Sequence, residues 1–128
     1  MSTIFRVQHV SVPMPPGGEA DARRFYAETL GLVEKDPPST IKHLNLVWFN
    51  ASADGQEIHI YTDNEFSPAR PRQHFCVQVD DLDGIRQRLT EGGYDIVEVP
   101  VITNRPRFNT NDPFGNSIEI TTIEGEYD

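Results

Sequence analysis

The sequence repeats itself once, and this internal repeat limits the possible folds more than any other feature. Gln-His-Val-Ser-Val at 8–12 matches Gln-His-Phe-Cys-Val at 73–77. Towards the end of each copy, Gly-Gln-Glu-Ile-His-Ile at 55–60 matches Gly-Asn-Ser-Ile-Glu-Ile at 115–120. A unit this small cannot cover the face of its own sheet, so we expect the two copies to pack together.

Hydrophobic periodicity predicts the same order of elements in both copies. The first copy reads as a strand at 5–12, a helix at 19–30 and strands at 32–35, 41–49 and 56–61. The second reads as a strand at 73–79, a helix starting at 82 and extended segments at 96–101, 107–111 and 117–122. We therefore predict an α+β fold, in which tandem βαβββ modules form a cup-shaped, barrel-like mixed sheet with helices outside.

These modules are expected to make one compact domain. The first spans 1–61, a connector rich in proline covers 62–72, and the second module spans 73–122. The remaining acidic tail, 123–128, is expected to be disordered because it contributes little to a core.

Charge and cysteine content exclude several kinds of partner. Eleven basic against twenty acidic side chains give a net charge of -9, so we expect no binding to nucleic acid or to an anionic membrane surface. No apolar run is long enough to span a bilayer, and the N-terminus lacks the pattern of a secretory signal. Cys76 is the only cysteine, which excludes an internal disulfide and favours a cytoplasmic location.

Ionisable side chains share one face of the predicted strands. Because side chains alternate along a strand, His9, His74 and Glu119 all lie opposite the apolar residues that would pack on the helices. Enclosing such groups is costly unless something pairs with them, and a divalent ion of zinc, nickel, iron or manganese accepts both ligand types. His59 repeats the position of Glu119 and is a candidate fourth metal ligand, with Glu57 as its competitor.

Each of these residues also has a simpler interpretation. A strand histidine is commonly a neutral hydrogen-bonded side chain, and Glu119 could pair with an arginine. Arginines at 70, 72, 105 and 107 could hold an anionic substrate, although a solvated surface position is the commoner case for arginine. Ligand-type residues at repeated positions favour the metal site over these alternatives.

Two segments resemble the vicinal oxygen chelate superfamily, which includes glyoxalases, bleomycin-resistance proteins, fosfomycin-resistance enzymes and extradiol dioxygenases. They are QHFCVQVDDLD at 73–83 and DPFGNSIEI at 112–120, and His9 completes the pattern. By position, the resemblance implies paired modules around a metal, with His9, His74 and Glu119 at the frequent ligand positions. His59 stands where similar lactoylglutathione lyases carry glutamate, which argues against that activity.

The polar face and the resemblance together favour a glyoxalase-like, metal-dependent lyase or isomerase. A small substrate with vicinal oxygens would chelate the ion, and Glu119, or Glu57 if it faces the cavity, would act as the base while an enediolate-like intermediate forms. The alternative is a bleomycin-resistance-type binding protein without catalysis, whose cavity is lined by Trp48, Phe49 and Phe108. A dioxygenase-like subunit is a third possibility. Relatives commonly dimerise, so we expect a homodimer, with modules paired within one chain or across two.

Overall fold

A computed structural model describes residues 2–70 and 72–128 of the chain, which divides into two compact units, Met1–Phe66 and Ser67–Asp128. The first unit contains β1 (His9–Met14), α1 (Glu19–Ala22) with a π-helical continuation (Arg23–Thr29), β2 (Val33–Lys35), a 3₁₀ helix (Ser39–Leu44), β3 (Leu46–Asn50) and β4 (Glu57–Thr62). The second contains β5 (His74–Gln78), α2 (Leu82–Glu91), β6 (Arg107–Asn111) and β7 (Ser117–Thr121).

Each unit has its own mixed sheet, and the two sheets repeat one topology. The strand order is β1-β4-β3-β2 in the first unit and β5-β7-β6 in the second. In both, the first strand runs parallel to the last, and the last runs antiparallel to the strand before it. The α+β class and the duplication predicted from the sequence are confirmed.

The helix of the first unit packs its aromatic residues against the sheet. Phe25 and Tyr26 are completely buried, and the Tyr26 ring stacks on Phe49 with centroids 5.5 Å apart. The backbone N–H of Leu30 donates to the carbonyl of Phe25, five residues earlier, which is the wider turn of a π-helix. The predicted helix over 19–30 is therefore present, but most of it is π-helical.

The helix of the second unit begins and packs as its sequence predicts. The Asp81 carboxylate accepts a 3.0 Å hydrogen bond from the Gly84 N–H, which caps α2 at its N-terminus. Ile85 and Leu89 are buried on the apolar stripe of the helix. The Arg86 guanidinium lies 4.6 Å from the centroid of the Phe108 ring, which places α2 against the face of the sheet that carries Phe108.

The structure corrects two strands of the first unit. The strand predicted over 5–12 is β1, His9–Met14, and it includes Pro13, which an edge strand tolerates because one side of it needs no N–H donor. The strand predicted over 41–49 is only β3, because a 3₁₀ helix occupies Ser39–Leu44. Asn45 takes a left-handed conformation (φ 57°) between the two, which ends the helix before the strand begins.

Two predictions for the second unit are also wrong. The segment 96–101 forms no strand within the described residues, and only Val97 pairs, as a single bridge to Asn109. The acidic tail is ordered by contacts with the rest of the unit. Asn104 Nδ2 donates a 2.7 Å hydrogen bond to the Glu126 carbonyl, and the Arg105 guanidinium lies 4.1 Å from the Tyr127 ring centroid. Over the described residues, the helices are all too short or too polar to cross a membrane.

Candidate functional site

The first unit stacks three aromatic rings across its polar face. Trp48 lies opposite His59 in the β3–β4 register, and their ring planes are 2° apart with centroids 3.7 Å apart. His9, on β1, stacks on His59 with centroids 4.1 Å apart and an interplanar angle of 21°. His59 is thus enclosed between two rings, while His9 is exposed.

Glu57 fixes the orientation of the His59 ring. Its Oε1 lies 2.8 Å from His59 Nε2, and its Oε2 accepts a 2.6 Å hydrogen bond from Lys35 Nζ. The hydrogen bond from Lys35, aided by the one from His59, lowers the pKa of Glu57 to about 2. Burial lowers the pKa of His59 despite its carboxylate partner, so the neutral ring donates Nε2–H to Glu57 and keeps the lone pair on Nδ1.

This geometry predicts an acid-sensitive contribution from Glu57. Its pKa in the folded state lies below the usual value of 4.5, so the stabilisation is complete above about pH 5 and is lost as the pH falls towards 2. In metal-free buffer, Glu57→Gln is expected to lower the free energy of unfolding at pH 7 by about 1–3 kcal/mol, because glutamine cannot pair with Lys35 as a charge. Urea titrations from pH 2.5 to 7 measure both effects.

Glu34→Gln is the matched control, since Glu34 pairs with Arg23 on the exposed surface of the same unit. Exposed pairs contribute little, so this variant is expected to follow the wild-type pH profile within about 0.5 kcal/mol. If the two variants give the same profile, the Lys35–Glu57–His59 arrangement does not stabilise the unit.

The second unit gathers His74, Glu119 and Arg107 on the polar face of its sheet. His74 Nε2 lies 3.2 Å from Glu119 Oε1, and Arg107 Nη1 lies 3.3 Å from the same oxygen. The side chains of Glu119 and Arg107 are 16% and 15% exposed, so this ion pair is largely removed from water. The simpler interpretation of Glu119, that it pairs with an arginine, is therefore realised in part.

Cys76 lies opposite Glu119 in the β5–β7 register. Although Cys76 is partly exposed, desolvation of its thiol raises the pKa to about 11, and the neighbouring Glu119 carboxylate acts in the same direction. The protonated thiol is a poor nucleophile, so the geometry gives Cys76 no catalytic role.

Three histidines each have one ring nitrogen directed at an oxygen acceptor. His9 Nδ1 lies 2.6 Å from Gln8 Oε1, His59 Nε2 contacts Glu57, and His74 Nδ1 lies 2.9 Å from the Arg72 carbonyl. In the neutral ring, that nitrogen carries the proton and the other nitrogen presents a lone pair. Such an acceptor is the usual support of a metal-ligating histidine.

The chemistry of the donors in the second unit fits a divalent ion. Two ligand atoms, each about 2.1 Å from one ion, lie about 3.0–3.4 Å apart, and the His74–Glu119 separation of 3.2 Å falls in that range.

In the first unit, His9 and His59 stack face to face. Because the lone pair of an imidazole lies in its ring plane, only one of these two rings can bind a given ion in this arrangement. Across the described residues, no three His, Cys, Asp or Glu side chains gather as a metal site.

The sequence missed the cationic partners of this site and misplaced two aromatics. Phe49 and Phe108, which were expected to line a cavity, are completely buried on the helix-facing side of their strands, and only Trp48 lies on the polar face. Lys35 was not singled out, and Arg107 was considered either as a residue that holds an anionic substrate or, more commonly for arginine, as a solvated surface residue. Strand alternation could have placed Arg107 on the polar face, because it precedes the core residue Phe108 in β6.

Comparisons with known proteins find similarity over nearly the whole chain. Residues 6–120 match the model of the Glyoxalase/Bleomycin resistance protein/Dioxygenase superfamily. A glyoxalase family protein from Bacillus anthracis is 35% identical, with a TM-score of 0.87 over 96% of this chain and 98% of that one. A glyoxalase/dioxygenase from Nostoc punctiforme shares the fold at 22% identity, with a TM-score of 0.73 over 94% of this chain and 92% of that one. No curated protein matches the chain.

Proposed function

Because the chain belongs to the Glyoxalase/Bleomycin resistance protein/Dioxygenase superfamily, the vicinal oxygen chelate proteins, we propose that it is a metal-dependent lyase or isomerase acting on a small substrate with neighbouring oxygens. One observation carries this proposal: His74 Nε2 and Glu119 Oε1 face each other at 3.2 Å, while His74 Nδ1 faces the Arg72 carbonyl. A neutral ring can donate to only one of these two acceptors. Either a second proton on His74 or a bound cation would make both contacts of the ring favourable.

His74 and Glu119 would hold the ion, and His9 is the third ligand that the family resemblance implies. A divalent ion, when bound, stabilises negative charge that develops on the substrate oxygens. The proton on the carbon beside those oxygens would pass to a carboxylate oxygen of Glu119. Glu57 does not suit this role, because two hydrogen bonds and a pKa of about 2 make it a weak base.

The test measures the metal content of untagged protein purified without chelator. We expect about one zinc, nickel, iron or manganese ion per chain in the wild type, and its loss in both His74→Ala and Glu119→Gln. Only one of the two variants His9→Ala and His59→Ala is expected to lose the bound metal, because the two stacked rings cannot both bind one ion. Solvent deuterium exchange into hydroxyacetone, followed by NMR, then tests for proton removal, which Glu119→Gln should abolish.

His43→Ala is the control, since His43 is exposed in the 3₁₀ helix and lies outside the strands of the sheet. This variant should keep the full metal content. A wild type without bound metal, or metal retained in both His74→Ala and Glu119→Gln, would refute the metal proposal. Bound metal without deuterium exchange in any compound tried would refute the enzymatic part alone.

The alternative function, a small-molecule binding protein without catalysis, is favoured by one observation. Arg107 Nη1 reaches the same Glu119 oxygen at 3.3 Å, so a protein cation already offsets this carboxylate. A wild type without metal that still binds small oxygenated compounds would support this alternative.

A further inference from the structure

The polar face of the second unit carries side-chain atoms whose hydrogen bonds are not satisfied. Among the residues that the structure describes, the buried side-chain atoms without a partner are Arg107 Nε, Asn109 Oδ1 and Thr110 Oγ1. Thr110 is completely buried on the opposite face with Phe108, because side chains alternate along β6. Arg107 and Asn109 therefore place an unused donor and an unused acceptor on the face that carries Glu119.

A buried polar atom without a hydrogen-bond partner destabilises the folded state, so native structures leave few of them unpaired. Two such atoms on one face therefore indicate a place where a ligand supplies the missing partners. Both side chains stand on well-anchored backbone. Asn109 exchanges backbone hydrogen bonds of 2.9 and 2.7 Å with Val97 on one side and lies opposite Glu119 on the other.

The Arg107 guanidinium is also held in place. Its Nη2 donates a 2.7 Å hydrogen bond to the Pro100 carbonyl, and its Nη1 lies against Glu119. These contacts fix the plane of the guanidinium and leave the Nε–H for an acceptor that the described chain does not provide.

The unused donor on this face belongs to a cationic side chain. The Arg107 Nε–H is left for an acceptor, and a negatively charged acceptor binds a guanidinium more strongly than a neutral one, although Glu119 Oε1 offsets part of the charge at 3.3 Å from Nη1.

We propose that Arg107 and Asn109 bind the carboxylate and the adjacent hydroxyl of a small 2-hydroxy acid. A carboxylate offers only acceptors, which suits Arg107 Nε–H, and the hydroxyl donates to Asn109 Oδ1. In a 2-hydroxy acid the carboxylate and the hydroxyl are on neighbouring carbons, so they provide the neighbouring oxygens that the proposed function requires. The inference thus names the substrate class of the proposed function and rests on it for the reaction.

Three matched probes test the proposal: lactate, propanoate, which lacks the hydroxyl, and lactamide, which lacks the charge. Saturation-transfer NMR on their methyl protons gives the three dissociation constants. The wild type is expected to bind lactate about tenfold more tightly than either of the other two, since each lacks one good hydrogen bond or charge contact. Asn109→Ala should bind lactate and propanoate equally, and Arg107→Gln should lose most of the preference for lactate over lactamide, because glutamine lacks the charge that favours a carboxylate over an amide.

Asn111→Ala and Arg105→Gln are the controls. Asn111 follows on the same face of β6 but donates to Asp95, and Arg105 contacts the tail, so both should keep the wild-type ratios. Equal binding of all three probes by the wild type, or an unchanged ratio in Asn109→Ala with a wild-type melting temperature, would overturn the proposal.

Repeating the titrations after chelation separates this inference from the metal proposal. A preference for lactate in metal-free protein would support the Arg107–Asn109 subsite, whatever the metal analysis shows. Bound metal without any preference for lactate refutes the subsite and leaves the metal proposal standing.

Discussion

Replacing Phe49 with alanine is expected to lower the free energy of unfolding by about 3–5 kcal/mol. Phe49 is completely buried in β3, and its ring stacks on Tyr26 of the π-helical segment. A sheet on one side and a helix on the other cannot close fully around the missing ring, so a cavity remains. Because a domain is typically stable by only about 5–15 kcal/mol, this single change removes a large part of the total.

Urea unfolding followed by circular dichroism measures this effect, and the melting temperature is expected to fall by about 10–20 °C. Phe5→Ala is the matched control, since Phe5 lies in the same unit and is 96% exposed. The control should stay within about 0.5 kcal/mol of the wild type. Equal destabilisation by the two substitutions would mean that Phe49 does not belong to the core of the first unit.

Strand alternation predicted most of what positions the site. In β4, Ile58 and Ile60 are buried against the helix while Glu57 and His59 share the other face, as the two-residue period requires. The repeated Gln-His motif likewise predicted the first strand of each unit, β1 and β5. These features depend on local periodicity, which a sequence displays directly.

The predicted element boundaries were wrong where the local backbone conformation does not follow the pattern of apolar side chains. Ile41 and Leu44 fit a strand by composition, but Pro38 opens a 3₁₀ turn and Asn45 closes it in the left-handed region. In the second unit, the apolar segment 96–101 pairs only through Val97, and Pro100 offers its carbonyl to Arg107 instead of continuing a ladder. Periodicity alone carries no information on such local choices.

The sequence predicted which residue types form the candidate site but not the contacts that these residues make. His9, His59, His74 and Glu119 carry the right chemistry, yet the contacts of Lys35 with Glu57 and of Arg107 with Glu119 join residues on different strands. Only the strand order and register bring these charges together. A single sequence does not state that register, and so it could not distinguish a ligand carboxylate from one partly neutralised by arginine.

Replacing Asp112 with alanine is expected to cost about 3 kcal/mol, because one carboxylate organises the turn between β6 and β7. Its Oδ1 accepts hydrogen bonds from the N–H groups of Phe114 (2.9 Å) and Asn116 (2.8 Å), and its Oδ2 accepts from Asn116 Nδ2 (2.8 Å). Asp112 is only 4% exposed, so water cannot freely replace these bonds. The turn also sets the register that places Asn109 opposite Glu119.

A graded series measures the role of this carboxylate. Asp112→Asn keeps an oxygen for the two backbone N–H groups but turns an amide towards Asn116 Nδ2, so it should fall between the wild type and Asp112→Ala in urea unfolding. Asp95→Ala removes an exposed acceptor from the same unit and should cost less than about 0.5 kcal/mol. If Asp112→Ala unfolds no more easily than Asp95→Ala, the turn is held by its backbone alone. The register of β7, and with it the position of Glu119, would then not depend on this side chain.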